Sequence, residues 1–250
     1  MAVSIKSARE IAMMQEAGRI LAKVHEELEK IIAPGITTYE IDQLCEKLIR
    51  GYGCTPNFLN YNGYPASVCV SVNEEVVHGI PNKNRVLKDG DIVSLDAGLI
   101  YKGYHSDAAR THAVGQISEE AKKLIEVTRQ SFFEGIKYAK EGYHLHDISN
   151  AIDAYVSQFG YGIVKDLVGH GIGTQLHEDP QIPNYAQKRR GVRLQSGMTL
   201  AIEPMINAGG WEVNFLQDGW TVVSRDGSLS AHYENTILVT DGEPEILTLL

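Results

Sequence analysis

The chain is poor in the features that mark secreted, membrane-spanning and nucleic-acid-binding proteins. Its 250 residues include only three cysteines, Cys45, Cys54 and Cys69, an odd number without metal-binding spacing, which predicts reduced thiols in a cytoplasmic protein. No apolar run is long enough to span a bilayer and none follows a basic start, so neither a membrane span nor secretion is indicated. The net charge of −9 argues against binding to nucleic acid or to an anionic membrane.

Acidic residues inside apolar runs are the most informative feature that the sequence does contain. Asp96 lies in DIVSLDAGL, which is typical of a buried strand, and Asp107 follows in YHSDAARTHAV after the turn-forming Lys102-Gly103. A hairpin centred near Tyr101–Lys102 would place the two carboxylates directly opposite each other, with Cβ atoms roughly 5 Å apart. Unpaired carboxylates so close in an apolar sheet would repel each other and lose their hydration, so the pattern predicts a cation between them.

Three further residues extend this set of candidate metal ligands. His170 stands in VGHGIGT, Glu203 ends the apolar run MTLAIEP, and Glu234 lies in the strand-like SAHYENTILVT. Four carboxylates and one imidazole carry a charge of about −4, and such an oxygen-rich set suits two divalent ions of Mn, Fe or Co rather than structural zinc. The alternative for any single acid is a solvated or salt-bridged strand residue, but several acids surrounded by Val, Ile and Leu favour the metal.

A weak internal repeat divides the chain into two related parts. The segment VLKDGDIVSLD at 86–96 aligns with RLQSGMTLAIE at 193–203, so that Asp96 corresponds to Glu203. The same offset aligns Gly35 with Gly142, Ile41 with Ile148, Gly53 with Gly160, Leu87 with Leu194 and Gly90 with Gly197. We therefore expect one catalytic domain over 1–250, with halves of about 1–115 and 116–250 and the site where they meet. In the second half an extra hairpin around 209–230 would account for the longer spacing to the next acid.

The order of the predicted elements indicates an α+β fold. Capping boxes at Ser7 and Thr37 begin helices over 8–32 and from 37 to about 51–53, and further helices are expected over 118–140 and 146–159. Strands are expected at 67–72, at 91–99 and repeatedly after residue 160, with a hairpin turn at Asp226-Gly227. Pairs of helices before antiparallel strands, occurring twice, predict two pseudo-symmetric halves in which helices back a curved antiparallel sheet.

These motifs resemble the type I methionine aminopeptidases, which have the "pita-bread" fold, over nearly the whole chain. Besides the five candidate ligands, the strings NGYPASVCVSVNEEVVHGIP, GHGIGTQLHEDP and AIEP are typical of that family. The resemblance implies two divalent ions (Co, Mn, Fe or Zn) bridged by a water or hydroxide, with Asp107 and Glu234 spanning both. It also implies that Glu203 carries the proton from the nucleophile to the leaving amine.

The resemblance assigns roles to two more histidines and to a specificity pocket. It implies that His78 contacts the second residue of the substrate and that His177 donates to the scissile amide, although a lone histidine in such a loop is more often a surface residue. Its implied pocket for the methionine side chain has walls of aromatic, thiol and aliphatic side chains: Phe58, Tyr61, Tyr64, Cys69, Leu176 and Trp220. Each wall residue taken alone is equally compatible with an ordinary core position.

The expected substrates are deformylated N-termini of nascent polypeptides, cleaved after methionine when the second residue is small. A monomer is expected, and a transient ribosome contact is compatible with such substrates, although no basic patch indicates one. A monovalent cation near Asn73, the backbone at Glu75 and Ser230 is a further expectation from the family. The alternatives are an Xaa-Pro-type aminopeptidase of the same fold and a catalytically inactive binding module, which metal content and an assay on a Met-Gly peptide would separate.

Overall fold

The computed structural model describes residues 3–250, and this range contains four α-helices and fifteen strands. The helices are α1 (Ala8–Glu29), α2 (Thr38–Gly51), α3 (Glu119–Ile136) and α4 (Leu145–Val156). The strands are β1 (Thr55–Pro56), β2 (Val68–Val72), β3 (Glu75–Val77), β4 (Ile92–Tyr101), β5 (Tyr104–Ala113), β6 (Gly162–Ile163), β7 (Gly169–Gly171), β8 (Glu178–Ile182), β9 (Thr199–Ile202), β10 (Met205–Asn207), β11 (Val213–Phe215), β12 (Val222–Ser224), β13 (Ser230–His232), β14 (Glu234–Leu238) and β15 (Glu245–Ile246).

Capping boxes fix the starts of the first two helices, as their sequences predict. The Ser7 hydroxyl accepts from the Glu10 backbone N–H while the Glu10 carboxylate accepts from the Ser7 backbone N–H, and Thr37 and Glu40 repeat the arrangement. The helix ends are less well predicted. α1 ends at Glu29 rather than at 32, and α3 ends at Ile136 rather than at 140, because turns and not Pro34 or Gly142 themselves end these helices.

The largest sheet is antiparallel and has nine strands. Its path runs β1-β4-β5-β14-β9-β7-β8, with β2 also paired to β4 and β15 to β14. Helices α1 and α2 pack on β2, β4 and β5, whereas α3 and α4 pack against β8, β10 and β13. Each pair of helices buries its own apolar core, around Leu21, Ile41 and Leu95 in the first half and around Leu124 and Ile148 in the second. The expected α+β architecture is confirmed.

Equivalent elements occur 107 positions apart in the two halves. Helix α2 begins at Thr38 and α4 at Leu145, and the strands β4 and β9 begin at Ile92 and Thr199. An isolated bridge between residues 37 and 86 is matched by one between residues 144 and 193. The three pairs of glycines that the repeat aligns have similar positive φ angles: Gly35 and Gly142 at 101° and 89°, Gly53 and Gly160 at 73° and 74°, Gly90 and Gly197 at 95° and 91°.

One turn prediction is wrong. Gly227 has a φ of 75° and closes a turn by donating its N–H to the Ser224 carbonyl, but the strands on its two sides are not partners. Strand β12 pairs with β11 and β3, while β13 pairs with β10. The Asp226 carboxylate instead accepts from the backbone of Ser228 and Gly210, so the turn redirects the chain between sheets. The extra hairpin expected around 209–230 is β11–β12.

The part of the chain that the structure describes includes no helix with the length and apolar character needed to cross a bilayer.

Candidate metal centre

Five neighbouring strands of the nine-stranded sheet each bring one candidate ligand to the same place. In the order of the sheet they are β4, β5, β14, β9 and β7. Asp96, Asp107, Glu234 and His170 lie within their strands, and Glu203 directly follows the last residue of β9. Asp107 and Glu234, 127 positions apart in sequence, therefore lie on adjacent strands, and antiparallel strands lie only about 5 Å apart. Two of these strands, β4 and β5, precede residue 116 and three follow it, so the site draws on both parts of the chain that the repeat aligns.

The register of the β4–β5 hairpin corrects the predicted pairing of its two aspartates. Lys102 and Gly103 both have positive φ, 48° and 85°, so they form a two-residue turn and Tyr101 pairs with Tyr104. Asp96 consequently lies opposite Ala109, and Asp107 opposite Gly98. The expectation that the two aspartates are directly opposite is wrong by two residues. They are diagonal neighbours on the same face, which still places their side chains within reach of each other.

Three of the five residues form a compact group. One ligand atom from each of Asp107, His170 and Glu234 lies within 4.8 Å of the others, and all three side chains are buried. Glu203 adjoins this group, with its Oε1 3.5 Å from Nε2 of His170. Nδ1 of His170 lies 2.9 Å from the Gly171 carbonyl. A proton on Nδ1 satisfies that carbonyl and leaves the Nε2 lone pair directed at the carboxylates, as a metal-binding imidazole requires.

Several oxygens of the buried carboxylates lack a hydrogen-bond partner in the part of the protein that the structure describes. Within residues 3–250, Oδ1 of Asp96, Oδ1 of Asp107 and Oε1 of Glu234 are buried without a hydrogen-bond partner. Burial raises the pKa of Asp96 to about 7. Burial and the neighbouring carboxylates raise the pKa of Asp107 and of Glu234 well above the ordinary value, and burial together with Asp96 does the same for Glu203. These residues fit a divalent cation, because it would supply the missing partners and the missing positive charge.

The imidazoles around the carboxylates are neutral. Burial lowers the pKa of His78 to about 4 and that of His170 and of His232 to about 3. Burial also lowers the pKa of His177. Neutral imidazoles keep a lone pair for a metal or for a hydrogen bond, and each still has one N–H to donate. The four rings can therefore bind and orient ligands around neutral pH without adding charge.

The two histidines outside the ligand set both lie at the site. Nδ1 of His177 is 2.8 Å from the Tyr61 hydroxyl, and its ring centroid is 4.3 Å from that of His170. His78 follows β3 with a φ of 60°, a left-handed conformation that is unusual for any residue with a side chain. Its ring stands edge-on to Trp220, with centroids 6.2 Å apart. Strained backbone of this kind occurs more often where a side chain must point at a ligand.

A cavity of about 240 Å³ opens onto the candidate ligands. All six side chains expected as pocket walls line it: Phe58, Tyr61, Tyr64, Cys69, Leu176 and Trp220. The ring of Tyr64 meets that of Trp220 edge-on at 5.1 Å, and Tyr64 is fixed by donating its hydroxyl to the Gly79 carbonyl. Cys69 is the cross-strand partner of Asp96, so the apolar slot and the carboxylates share one wall.

His232 is the main site residue that the sequence reading missed. Its Nε2 lies 3.9 Å from Oε2 of Glu203 and 3.8 Å from Oε2 of Glu234. It also lines a second cavity of about 350 Å³. The signal was available, because His232 stands two residues before Glu234 in an extended segment, where alternation places both side chains on one face. Other side chains that line the cavity but were missed are Asn62, Val77, Leu167, Val168 and Met205.

The residues expected around a monovalent cation also lie together. Asn73 has a φ of 58°, and its carbonyl accepts from the Ser230 backbone N–H at 2.8 Å. The Glu75 carboxylate folds back to accept from the Val72 backbone N–H at 2.7 Å. This arrangement joins the β2–β3 turn to the start of β13, beside the sheet that carries His78.

Comparison with known proteins places the chain among metal-dependent peptidases. The model of metallopeptidase family M24 matches residues 12–241. A methionine aminopeptidase of Clostridium acetobutylicum is 54% identical over 247 residues, which cover 99% of each chain. The solved structure of methionine aminopeptidase from Thermotoga maritima has a TM-score of 0.97 and 46% identity, with both chains fully covered. A Xaa-Pro dipeptidase from Bacillus anthracis has a TM-score of 0.78 and 27% identity, and the match covers 98% of this chain but 61% of the dipeptidase.

Proposed function

This chain belongs to metallopeptidase family M24, and we propose that it is a methionine aminopeptidase, a hydrolase that removes the N-terminal methionine of nascent polypeptides when the second residue is small. The observation that carries the proposal is the convergence of five ligand-type side chains from five adjacent strands on one aromatic-lined cavity. The 54% identity with a named methionine aminopeptidase over essentially the whole chain supports the same function, and the fold that it shares with the Thermotoga structure is the expected pita-bread fold.

The proposed cofactor is a pair of divalent ions, Co, Mn, Fe or Zn. Asp96, Asp107, His170, Glu203 and Glu234 would hold them, with Asp107 and Glu234 shared between the two positions. The unpartnered buried oxygens of Asp96, Asp107 and Glu234 support this set. When bound, divalent metal would supply Lewis-acid polarisation of the scissile carbonyl and a water of lowered pKa.

Glu203 is proposed to move the proton of the reaction. Its carboxyl group lies at the cavity wall, and its side chain keeps 13% of its exposure, so it can meet both water and substrate. Burial and the neighbouring Asp96 raise its pKa well above the ordinary value. A carboxylate of raised basicity can accept the proton of the attacking water and then donate it to the leaving amine nitrogen.

His177 and His78 are proposed to bind the peptide around the scissile bond. If the Tyr61 hydroxyl donates to Nδ1 of His177, then Nε2 carries the proton and can donate to the scissile amide, where negative charge develops. His78 lines the same cavity beside Trp220 and would contact the second residue of the substrate. A large second side chain would clash there, which accounts for the preference for small residues.

The first residue of the substrate would occupy the slot between Tyr64, Cys69 and Trp220. Contacts between sulfur and aromatic rings add about 0.3–1.5 kcal/mol to the burial of a methionine side chain. Leucine branches at Cγ, whereas the methionine side chain is unbranched, so leucine would fit the slot less well. The free α-amino group of the substrate would lie toward the buried carboxylates, which is the proposed reason why a formyl group blocks cleavage.

Several further expectations are kept as proposals. We propose that residues 1–250 act as one catalytic domain with halves of about 1–115 and 116–250, supported by the matched helix starts and bridges. The substrates point to a cytoplasmic monomer that meets deformylated nascent N-termini and contacts the ribosome transiently. A monovalent cation near Asn73 and Ser230 is supported by the folded-back β2–β3 turn alone.

A peptide panel with the metal-loaded protein tests the function. Met-Gly, Met-Ala and Met-Ser peptides should be cleaved, whereas Met-Lys and Met-Phe peptides should be cleaved hardly at all. Replacement of the first methionine by leucine should cost roughly 10- to 200-fold in kcat/KM, the value of one misplaced methyl group in a tight pocket. Ready cleavage of Ala-Pro peptides would instead indicate an Xaa-Pro-type enzyme, and no cleavage with full metal occupancy would indicate an inactive binding module.

A further inference from the structure

The loop between β7 and β8, residues 172–177, carries two important side chains of the site but has few hydrogen bonds between its own residues. Leu176 lines the cavity, and His177 reaches toward Tyr61. Within the loop, the Gly173 N–H donates to the Gln175 carbonyl at 3.1 Å. The Gln175 N–H donates to Oε1 of Glu178, the residue directly after His177, at 3.2 Å. The start of the loop is bonded to the neighbouring strands, since the Ile172 N–H donates to the Thr199 carbonyl at 3.1 Å and the Gly173 carbonyl accepts from the His105 N–H at 2.8 Å. The part that leads into Leu176 and His177 is instead bonded to the Glu178 carboxylate.

Lys6 holds that carboxylate from the other end of the chain. Its Nζ lies 2.7 Å from Oε2 of Glu178, and the Ser4 hydroxyl donates to the same oxygen at 2.7 Å. Lys6 Nζ is also in contact with the Ser4 hydroxyl. Oε1 of Glu178 is thus left for the loop, while Oε2 is occupied by the N-terminal segment. Burial acts to raise the pKa of Glu178, but the hydrogen bonds from Lys6, Ser4 and the Gln175 backbone keep it below its ordinary value.

Lys6 is itself fixed and is not a mobile surface lysine. Its side chain is 5% exposed, and its backbone N–H donates to the Gly197 carbonyl at 2.8 Å. The next residue, Ser7, caps α1. The stem of the lysine also packs on the loop, because a Cβ atom at Gly173 would lie 2.5 Å from Lys6 Cε and 2.6 Å from Glu178 Oε1. The ammonium group, the carboxylate and the loop backbone form one closely packed unit.

We propose that Lys6 is a positioning residue for the peptidase reaction, acting through Glu178 to hold His177 and Leu176 in place against the substrate. The inference rests on the proposed function, since it assigns a role within that reaction. Lys6 lies in a different half of the chain from the loop. The ion pair between Lys6 and Glu178 therefore also attaches the N-terminal segment to the other half. Lysine side chains are almost never fully buried unless they are paired, so the burial of Lys6 indicates that its contact with Glu178 holds it in place.

The test compares K6M with K6R and with a surface control, K30M. Lys30 pairs with Glu27 at 2.7 Å on an exposed face of α1, so K30M removes a similar contact far from the loop. With metal loaded, K6M should lower kcat on a Met-Ala peptide by roughly 10-fold or more, because a misplacement of about 1 Å can cost 10²-fold. It should also reduce the preference for methionine over leucine, since Leu176 loses its support. K6R should keep much of the kcat and much of the preference for methionine. K30M should change neither quantity.

Three measurements separate positioning from a merely structural role. Metal affinity should be the same in K6M and in the unmodified chain, and amide exchange at Gln175 should become faster in K6M alone. In an H177A background, K6M should lower kcat further by no more than about 2-fold, because the side chain that Lys6 positions is already absent and the two effects are then not additive. If K6M does not fold, E178Q makes the same comparison, because it keeps the shape of the side chain and removes the charge that Lys6 binds.

Unchanged kcat and unchanged methionine preference in K6M, or in E178Q where K6M does not fold, would overturn the inference. So would a full additional loss in the H177A background, or a loss of metal together with activity. None of these outcomes touches the proposed function, which is tested on the unmodified chain by the peptide panel and by metal removal.

Discussion

At the scale of single residues, the two histidines outside the ligand set are proposed to act on the peptide and not on metal. The position of His177 supports this role, because its Nδ1 faces Tyr61 and its ring lies beside that of His170 without joining the compact ligand group. His177→Ala should therefore keep metal affinity while kcat falls by roughly 10²-fold or more, as when an oxyanion donor is removed. Titration calorimetry and steady-state kinetics on the same sample check both parts. Loss of metal together with activity would show that the role has been misassigned.

The buried carboxylates also predict how the stability of the metal-free and metal-loaded forms changes with pH. The pKa of Asp96 is about 7 in the folded protein, against roughly 3.9 in an unfolded chain. Its protonated form is favoured by folding, so its contribution to stability is complete below pH 4 and is lost as pH rises through about 7. The stabilisation by bound metal has the opposite dependence on pH: it increases as pH rises, because metal binds the deprotonated ligands.

The difference in Tm between metal-loaded and chelated protein should therefore widen between pH 5 and pH 8. Thermal unfolding at several pH values, with and without chelator, measures it. Groups elsewhere titrate equally in both forms, so their contributions to Tm cancel in this difference. A difference that is flat or that shrinks as pH rises would contradict the assignment of these carboxylates as ligands.

At the scale of the elements, α1 is positioned by a close approach that requires glycine. A Cβ atom at Gly18 would lie 2.1 Å from the Leu247 carbonyl oxygen and 2.9 Å from the Leu247 Cβ, so the helix backbone rests directly on the segment after β15. Gly18→Ala should destabilise the protein by about 1–3 kcal/mol through overpacking, although alanine is the better helix former.

Gly51 offers a matched control, since it ends α2 and, among the described residues, no atom lies within 4 Å of its Cβ position. Gly51→Ala should be neutral or stabilising by roughly 0.4–1 kcal/mol. Urea unfolding of both variants checks the pair. Equal stability changes in the two variants would show that the contact with Leu247 does not position α1.

The elements also show what the sequence could and could not predict. Local signals placed the helix starts, because the capping residues Ser7 and Thr37 act within one turn. The register of β4 and β5 could not be fixed to the residue, because it depends on both Lys102 and Gly103 adopting positive φ. The pairing of β13 with β10 rather than β12 depends on contacts with distant strands that a turn motif does not encode. His232 was not predicted because a single histidine in a strand carries no signal of its own, and its place at the site depends on the pairing of β13 with β10.

At the scale of the whole molecule, the site is a product of the repeat. Asp96 and Glu203 occupy equivalent positions at the end of matching Gly-led segments, and the strands between them bring Asp107 and Glu234 to the same face. The sequence could therefore predict that these five side chains meet, and all five line one cavity in the structure, while their role as ligands stays a prediction. It could not reveal the packing of residues 4–6 against the β7–β8 loop, because a lysine and a glutamate 172 positions apart carry no local signal.

Stepwise return of Mn²⁺ to the chelated protein, followed by calorimetry and by cleavage of a Met-Ala peptide, tests the central claim most directly. We expect the chelated chain to be inactive, the returned metal to restore activity, and saturation at about two ions per chain. We expect Asp107→Asn to bind metal more weakly and to lose most activity, because a shared ligand is removed from both positions. Full activity after exhaustive chelation, or near-normal turnover with full metal occupancy in Asp107→Asn, would contradict the account.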